Sequence, residues 1–375
     1  MTGQDFRTPY FYVDEKKLIE NLQILKEVAE KSGCRILLAQ KAFSMFVCYP
    51  LMREYLAGTT ASGLYEARLG KEEFGKETHV FSPAYRRDEF EELLNYADHI
   101  CFNSPAQLRL FGARAKAAGK SVGLRVNPQC STQEGHAIYD PCAPGSRLGT
   151  RADQMEEELL PLLDGLHFHT LCEQNSDDLE TTAKAFEEKF GKYLKGMKWL
   201  NLGGGHHITR SDYDRERLIG IVRYFRETYG VEVYLEPGEA VVLNAGFLVS
   251  RVEEIVSNDM EIAILDASAA CHMPDVLEMP YRPPVKGSGA PGEMAFTYRF
   301  GGPTCLAGDV MGDYSFAEPL KIGDQVVFED MALYTMVKTN TFNGMRLPDI
   351  RILHEDGSWE LVKEFGYKDF RDRLS

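Results

Sequence analysis

Long apolar runs are missing from this sequence of 375 residues. The first thirty residues contain no run of signal-peptide length, and no uncharged stretch reaches the roughly 18 apolar residues of a membrane-spanning helix. We therefore expect a cytoplasmic protein that does not enter a membrane. The eight cysteines include no Cys-x-x-Cys pair and no zinc-ribbon spacing, so most of them should be free thiols in a reducing compartment.

Positive charge is also scarce. The chain has 42 Lys and Arg against 57 Asp and Glu, a formal net charge of −15. This balance argues against nucleic acid or an anionic lipid surface as a partner and favours small molecules, above all cationic ones. With 44% hydrophobic and 26% charged residues the chain is globular and not disordered, and its length suits one large α/β domain or two ordinary ones.

Short apolar runs alternate with helical patterns through the first two thirds of the chain. Eight such βα units predict a (β/α)8 TIM-type barrel, although a doubly wound open sheet would give the same periodicity. The predicted strands are 35–39, 59–62, 79–82, 99–103, 122–126, 165–169, 199–202 and 232–235. The predicted helices between them are 88–97, 105–118, 153–163, 179–190 and 212–229.

The two ends of the chain differ from this pattern. A strand at 11–13 and an amphipathic helix with Leu18, Leu22 and Leu25 on one stripe precede the barrel. After Pro237 the chain turns to short alternating runs, at 247–255, 261–265, 295–300 and 325–328, with little helical period. We predict a barrel over 14–238 and a second, β-rich domain formed by 1–13 and 239–375.

Polar residues stand at the carboxyl ends of five of the predicted barrel strands. They are Lys41, Arg125, the pair His167 and His169, the Asn201–Gly205 segment, and Glu236. In a barrel the carboxyl ends of the strands meet at one mouth, where catalytic groups collect. A solvated lysine or a packed histidine would be the ordinary explanation at any one position, but five coincidences favour a single site.

The glycine triplet 203–205 suits a phosphate, because backbone without side chains can approach an anion closely. A tight turn is the alternative, and the dinucleotide pattern G-x-G-x-x-G is absent. His167 and His169 lie two apart in a strand and so face the same way. They could be packed core residues or a metal-binding pair in a barrel hydrolase, with His206 and His207 nearby. No third strand end offers a matching ligand, so we expect no metal.

An amine, a ring-supporting histidine, an anion site and a strand-end carboxylate together are what pyridoxal 5′-phosphate requires. The motifs around them extend over nearly the whole chain. On these motifs the sequence resembles the fold-type III pyridoxal-phosphate decarboxylases, the group of ornithine and diaminopimelate decarboxylases with an alanine-racemase-type barrel. The motifs are AQKA (39–42), GLHFHTLC (165–172), GGGHH (203–207), EPGE (236–239), ACHMPD (270–275), GPTCLAGD (302–309) and Tyr334.

The resemblance implies a role for each matching residue. Lys41 would carry the cofactor, His169 would lie against its ring and Glu236 would bind its nitrogen. Gly203, Gly204 and Gly205 with Tyr334 would hold the phosphate. Cys305 would reach across a homodimer interface into the neighbouring site and return a proton to the substrate carbon after carbon dioxide leaves. Arg125 and Glu66 would shape the pocket.

The sequence also departs from its relatives. Glu239 follows Glu-Pro-Gly where ornithine and diaminopimelate decarboxylases usually have Arg, and Asp275 and Asp266 add carboxylates in a segment that contacts the distal amine in this family. Thr60 replaces a frequent Asp, and Cys172 replaces a Ser. These departures imply a cationic carboxylated polyamine as substrate. A diaminopimelate decarboxylase-like enzyme, a metallohydrolase using His167 and His169, and a non-catalytic cofactor-binding protein are the alternatives.

Overall fold

The computed structural model describes residues 5–133 and 137–375. The chain divides into two compact units, one of residues 21–241 and the other of the described residues up to 20 together with 242–375. Strand β1 (Tyr10–Asp14) and helix α1 (Glu15–Ser32) come first. No helix within the described residues is long and apolar enough to cross a membrane.

Residues 21–241 form a closed barrel of eight parallel strands, which rules out the open doubly wound sheet. Each strand pairs in parallel with the next along the chain, and the last pairs with the first. These strands are almost wholly buried, as both faces of a barrel sheet are covered. They are β2 (Arg35–Ala39), β3 (Gly58–Ala61), β4 (Glu77–Phe81), β5 (His99–Phe102), β6 (Ser121–Arg125), β7 (Gly165–His167), β8 (Trp199–Asn201) and β9 (Glu232–Leu235).

The longer helices carry clear end signals. Helix α5 begins after Ser104, whose hydroxyl accepts the Gln107 N–H, and α7 ends at Gly230, which has φ +69°. The helices are α2 (Tyr49–Met52), α3 (Leu64–Leu69), α4 (Phe90–Leu93), α5 (Pro105–Ala117), α6 (Ser176–Leu194), α7 (Arg215–Tyr229), α8 (Glu239–Val242), α9 (Ala269–His272), α10 (Asp275–Glu278) and α11 (Tyr367–Arg371).

One predicted helix is wrong. Residues 153–163 form the 3₁₀ turns Ala152–Gln154 and Glu157–Leu162 and no α-helix. Pro161 lies inside this segment, and proline lacks the N–H that an α-helix interior needs. A single π turn, Gly70–Phe74, follows α3, and the remaining 3₁₀ turns are Phe46–Cys48, Ala137–Tyr139, Met336–Lys338 and Phe342–Gly344.

The second unit is built on a mixed sheet in the order β13-β12-β11-β10-β1-β15-β16, with β14 also paired to β10. Its core contains Phe11, Leu248, Phe300 and Phe328. The strands after the barrel are β10 (Gly246–Ser257), β11 (Glu261–Leu265), β12 (Phe296–Gly301), β13 (Val310–Phe316), β14 (Gln325–Glu329), β15 (Asp349–Leu353) and β16 (Trp359–Lys363).

Side chains fill the barrel interior and leave its mouth as the place for a site. Trp199 packs against Gly123 and Gly165, where an added Cβ would lie 2.3 and 2.1 Å from the indole. Leu37 and Tyr234 complete this buried cluster. The barrel is therefore a packed core, and its polar side chains gather at the carboxyl ends of the strands.

Candidate active site

A cavity lies at the carboxyl ends of the barrel strands, with about 400 Å³ of space that includes part of the open solvent at its mouth. Six of the residues that the sequence places at the barrel mouth share its wall: Lys41, Arg125, His167, His169, Gly204 and Glu236. The full lining is Ala39, Lys41, Thr60, Ala61, Ser62, Phe81, Arg125, His167, His169, Gly204 and Glu236.

Lys41 follows β2 directly. Its side chain lines the cavity and is open to it, yet the surrounding protein removes most of the water that would solvate the amine. This desolvation lowers the pKa of Lys41, and the positive charge of Arg125 lowers it further, against the opposing effect of Glu236. A lowered pKa gives a larger fraction of neutral amine, the form that attacks a carbonyl.

Glu236 follows β9. Its negative charge favours the protonated form of Lys41. Asn201 Nδ2 donates a hydrogen bond of 2.8 Å to Glu236 Oε1. Burial raises the pKa of Glu236, while hydrogen bonds from Asn201 and Thr60 and the charge of Lys41 oppose the rise. The carboxylate is thus fixed in direction and can accept a hydrogen bond from the protonated nitrogen of a bound pyridine ring.

The glycine turn after β8 packs against His169. The Gly204 N–H donates to His169 Nδ1 at 2.8 Å, which fixes the imidazole at the cavity wall. The Gly203 N–H donates to Asn201 Oδ1, also at 2.8 Å. Two of the three amide groups of the triplet are therefore used inside the protein. A phosphate at this turn would meet the N–H of Gly205, since the His207 N–H already donates to the Gln174 carbonyl at 3.3 Å.

The turn has no room for side chains. Gly203 and Gly205 have φ +73° and +82°, and a Cβ on Gly204 would lie 2.4 Å from the Glu236 carbonyl oxygen. A Cβ on Gly205 would lie 2.1 Å from the Leu171 carbonyl oxygen, beside Cys172. Both the strained conformation and the close packing require glycine here.

Arg125 is a buried cation at the end of β6. Its guanidinium donates to the His169 carbonyl at 3.3 Å and lies 4.5 Å from the Phe81 ring centroid. Burial lowers the pKa of Arg125 to about 10, so it keeps its charge at neutral pH. An anionic group in the cavity would meet this charge.

The metal alternative for His167 and His169 finds no support in the geometry. His167 Nδ1 lies 3.7 Å from the buried thiol of Cys101, and its Nε2 lies 3.7 Å from Glu236. His169 uses Nδ1 to bind the Gly204 N–H. Among the described residues, two trios could hold a metal ion, Glu77 with His79 and His99, and Glu173 with His207 and Glu239, and neither includes His167 or His169.

Glu66 lies on α3, near the amine. Its carboxylate accepts the Ser62 N–H at 2.6 Å, and its carbonyl accepts from the Gln40 side chain at 2.8 Å. Burial raises the pKa of Glu66, and the Ser62 N–H and the charge of Lys41 lower it. Glu66 therefore connects the segment after β3 to Gln40, the residue that precedes the lysine.

Glu239 pairs with His207. His207 Nε2 lies 2.8 Å from Glu239 Oε2, and both side chains are mostly buried. His207 comes two residues after the glycine triplet. The Glu239 oxygen that it binds therefore lies on the side of the barrel mouth formed by the glycine turn. Sequence reasoning missed this pair, and it missed Asn201 as a partner of Glu236.

The other predicted residues lie in the sheet unit. Cys305 is exposed at the loop between β12 and β13, with its N–H on Asn343 Oδ1 at 2.7 Å. Tyr334 is partly buried with φ +47°. Asp266 accepts from the Ser250 hydroxyl at 2.6 Å.

Asp275 is bound within its own unit. Its carboxylate pairs with Lys338, which also contacts Glu278 at 3.2 Å. Lys338 therefore already neutralises much of the charge of Asp275. The sequence alone predicts that this carboxylate binds the substrate amine.

The barrel mouth fits pyridoxal 5′-phosphate. It offers a desolvated amine at Lys41, a buried carboxylate at Glu236, a fixed imidazole at His169 and a turn that a Cβ would fill. These groups suit, in turn, the aldehyde, the ring nitrogen, the ring face and the phosphate.

Comparisons with known proteins agree with this fit. Residues 11–332 match the family described as pyridoxal-dependent decarboxylase, C-terminal sheet domain. The chain is 45% identical to a carboxynorspermidine/carboxyspermidine decarboxylase of Campylobacter jejuni, over 99% of each chain. It is 43% identical to a carboxyaminopropylagmatine decarboxylase of Synechocystis, over 98% of this chain and 95% of that one.

Solved structures show the same fold. The carboxynorspermidine decarboxylase of Campylobacter jejuni, complexed with norspermidine, matches with a TM-score of 0.91 at 44% identity, over 98% of this chain and 100% of that one. A diaminopimelate decarboxylase of Helicobacter pylori matches with a TM-score of 0.83 at 16% identity, over 99% of this chain and 97% of that one, a likeness of fold alone. On this family match and these full-length relatives, the chain belongs to the pyridoxal-dependent decarboxylases.

Proposed function

We propose that this chain decarboxylates carboxynorspermidine and carboxyspermidine, giving norspermidine and spermidine with carbon dioxide. The observation that carries the proposal is the 45% identity, over 99% of each chain, to a relative of that name. A structure 44% identical to this chain was solved with norspermidine, the expected product. Both relatives span essentially the whole chain, including the segments that line the barrel mouth.

Charge in the site supports a cationic substrate over diaminopimelate. Glu239 occupies the position after Glu-Pro-Gly, so its carboxylate would repel the distal carboxylate of diaminopimelate and attract an ammonium. The net charge of −15 favours the same sign of ligand. Asp275 and Asp266 add less to this argument, because Lys338 and Ser250 already bind them.

The residues divide the chemistry among themselves. Pyridoxal 5′-phosphate, when bound, accepts the electrons that carbon dioxide leaves behind. Lys41 supplies the amine that anchors it, and Glu236 keeps the proton on its ring nitrogen. His169 supports the ring, and Arg125 supplies the fixed positive charge of the pocket. Cys305 of a second copy would return a proton to the substrate carbon.

A homodimer with shared sites follows from the proposed role of Cys305. The thiol is exposed on a loop that is held firmly at its base, where Thr304 donates to buried Asp309 at 2.7 Å and Ser268 does so at 2.9 Å. A stiff loop with an exposed tip can present a group to another chain. All eight cysteines are free thiols, in keeping with a cytoplasmic enzyme.

A substrate panel tests the proposal. Carbon dioxide release is measured for the purified protein with pyridoxal 5′-phosphate and carboxynorspermidine, carboxyspermidine, carboxyaminopropylagmatine or meso-diaminopimelate. We expect kcat/KM for the first two to exceed that for diaminopimelate at least a hundredfold. The highest kcat/KM on carboxyaminopropylagmatine would make a distal guanidinium the true target, and the highest on diaminopimelate would overturn the polyamine assignment.

A further inference from the structure

Asn201 links two parts of the cofactor site. Its side chain is 3% exposed and makes two hydrogen bonds of 2.8 Å, one to the Glu236 carboxylate and one from the Gly203 N–H. The backbone N–H can only donate, so the amide oxygen must face Gly203 and the amide nitrogen must face Glu236. The orientation of the amide is therefore determined by its partners.

We propose that Asn201 is a positioning residue that couples the ring-nitrogen site at Glu236 to the phosphate turn at Gly203. A single rigid amide spans both, so displacement of one end disturbs the other. The register of the barrel supports this arrangement, since Asn201 lies between His167 on β7 and Tyr234 on β9. The inference rests on membership of the pyridoxal-dependent family and not on the choice of polyamine.

The amide nitrogen is the essential part of this side chain. Glu236 is buried, and burial favours its protonated form. A neutral donor at 2.8 Å stabilises the carboxylate without adding charge. A carboxyl group at position 201 would instead place two acids in contact, and such pairs share a proton. Glu236 would then hold that proton and could no longer accept a hydrogen bond from a protonated ring nitrogen.

A binding cycle with two cofactors tests the coupling. Cofactor-free wild-type and Asn201→Asp protein are titrated with pyridoxal 5′-phosphate and with its 1-deaza analogue, in which carbon replaces the ring nitrogen. We expect the substitution to weaken pyridoxal 5′-phosphate at least tenfold and the analogue less than twofold. Equal weakening of both cofactors would overturn the proposal, because Asn201 would then affect only the shape of the site and not its contact with the ring nitrogen. Unchanged or tighter binding of pyridoxal 5′-phosphate would overturn it as well.

Two further variants keep the cycle interpretable. Asn127→Asp is the matched control. Asn127 is also buried, and its oxygen accepts the Gln129 N–H at 2.8 Å while its nitrogen donates to the Leu148 carbonyl at 3.3 Å. Since neither partner is Glu236, the preference between the two cofactors should not change. If Asn201→Asp does not fold, Asn201→Ala must still weaken pyridoxal 5′-phosphate more than the analogue. No polyamine enters these titrations, so a wrong substrate assignment leaves their result intact.

Discussion

The imidazole rings of His79 and His99 stack with their centroids 3.9 Å apart and their planes at 12°. The pair lies inside the barrel, where burial lowers the pKa of each ring to about 3 and the charge of Arg35 contributes for His79. His79 Nε2 lies 3.4 Å from Glu77, and Asp98 and Glu232 are the other acids that act on the pair. Two neutral rings stack readily, whereas two charged rings would repel each other.

The first prediction concerns acid stability. The unfolded histidines take up protons below about pH 6.5, and the folded ones do so only near pH 3, so stability falls as the pH is lowered between these values. Each buried ring contributes a slope of up to about 1.4 kcal/mol per pH unit. Urea unfolding at pH 7 and pH 5 should show a smaller loss for His79→Gln than for wild type. An equal loss in both would mean that other groups set the acid limit.

The second prediction is that Lys41 carries the cofactor. Lys41→Ala should lose measurable turnover, because no other residue would supply the anchoring amine. Borohydride reduction of the wild-type holoenzyme, followed by peptide mass mapping, should place the pyridoxyl adduct on Lys41. An adduct on Lys338 or on any other lysine would refute the assignment.

The third prediction concerns the distal end of the substrate. Removing one partner of a buried charged pair costs about 2–5 kcal/mol, so Glu239→Gln should raise KM for carboxynorspermidine roughly thirtyfold or more. Cofactor absorbance should stay unchanged. Glu188→Gln, an exposed change on α6, is the control and should leave KM as it is. An unchanged KM for Glu239→Gln would place the substrate amine elsewhere and leave Glu239 as a partner of His207 only.

The fourth prediction is that two chains share each site. Cys305→Ala should lower the rate by roughly 10²–10⁴, the usual contribution of a positioned proton donor. Mixing Lys41→Ala and Cys305→Ala protein should restore activity to at most about a quarter of wild type. Half of randomly exchanged dimers are hybrids, and each hybrid has one intact site of two.

Subunit exchange itself has to be shown in that mixture, for example by mass spectrometry of differently tagged chains. Cys130→Ala serves as the control for loss of a thiol at another position. Exchange without any gain in activity would contradict the shared site.

The barrel was predictable because its strands are buried on both faces and so read as short apolar runs. The closed ring of pairs could not be read from periodicity, which an open sheet shares. Strands β13, β15 and β16 were not predicted, although Ile350 and Ile352 of β15 do alternate with polar neighbours. Gly312 lies within β13, and much of β16 is exposed, so neither has the alternation that marks a half-buried strand.

In the site, too, the sequence predicts the residues that local signals mark and misses the contacts that only the fold creates. Lys41, His169 and Glu236 follow strand ends, a local signal that the sequence carries. The partner of Asn201 is fixed by barrel register, and Glu236 lies 35 residues further along the chain. The ion pair of Asp275 with Lys338 is likewise a tertiary contact, and for this reason Asp275 looked freer in the sequence than it is.

Strand β1 is made first, but both of its partners are made only after the whole barrel segment. Its antiparallel neighbour is β10 and its parallel neighbour is β15, and the whole barrel sequence lies between β1 and both of them. During synthesis the barrel segment can close on itself while β1 still lacks both partners, an unpaired edge that could associate with other chains. Ribosome-bound chains ending before residue 246 should therefore have a protected barrel segment and a first strand open to proteases.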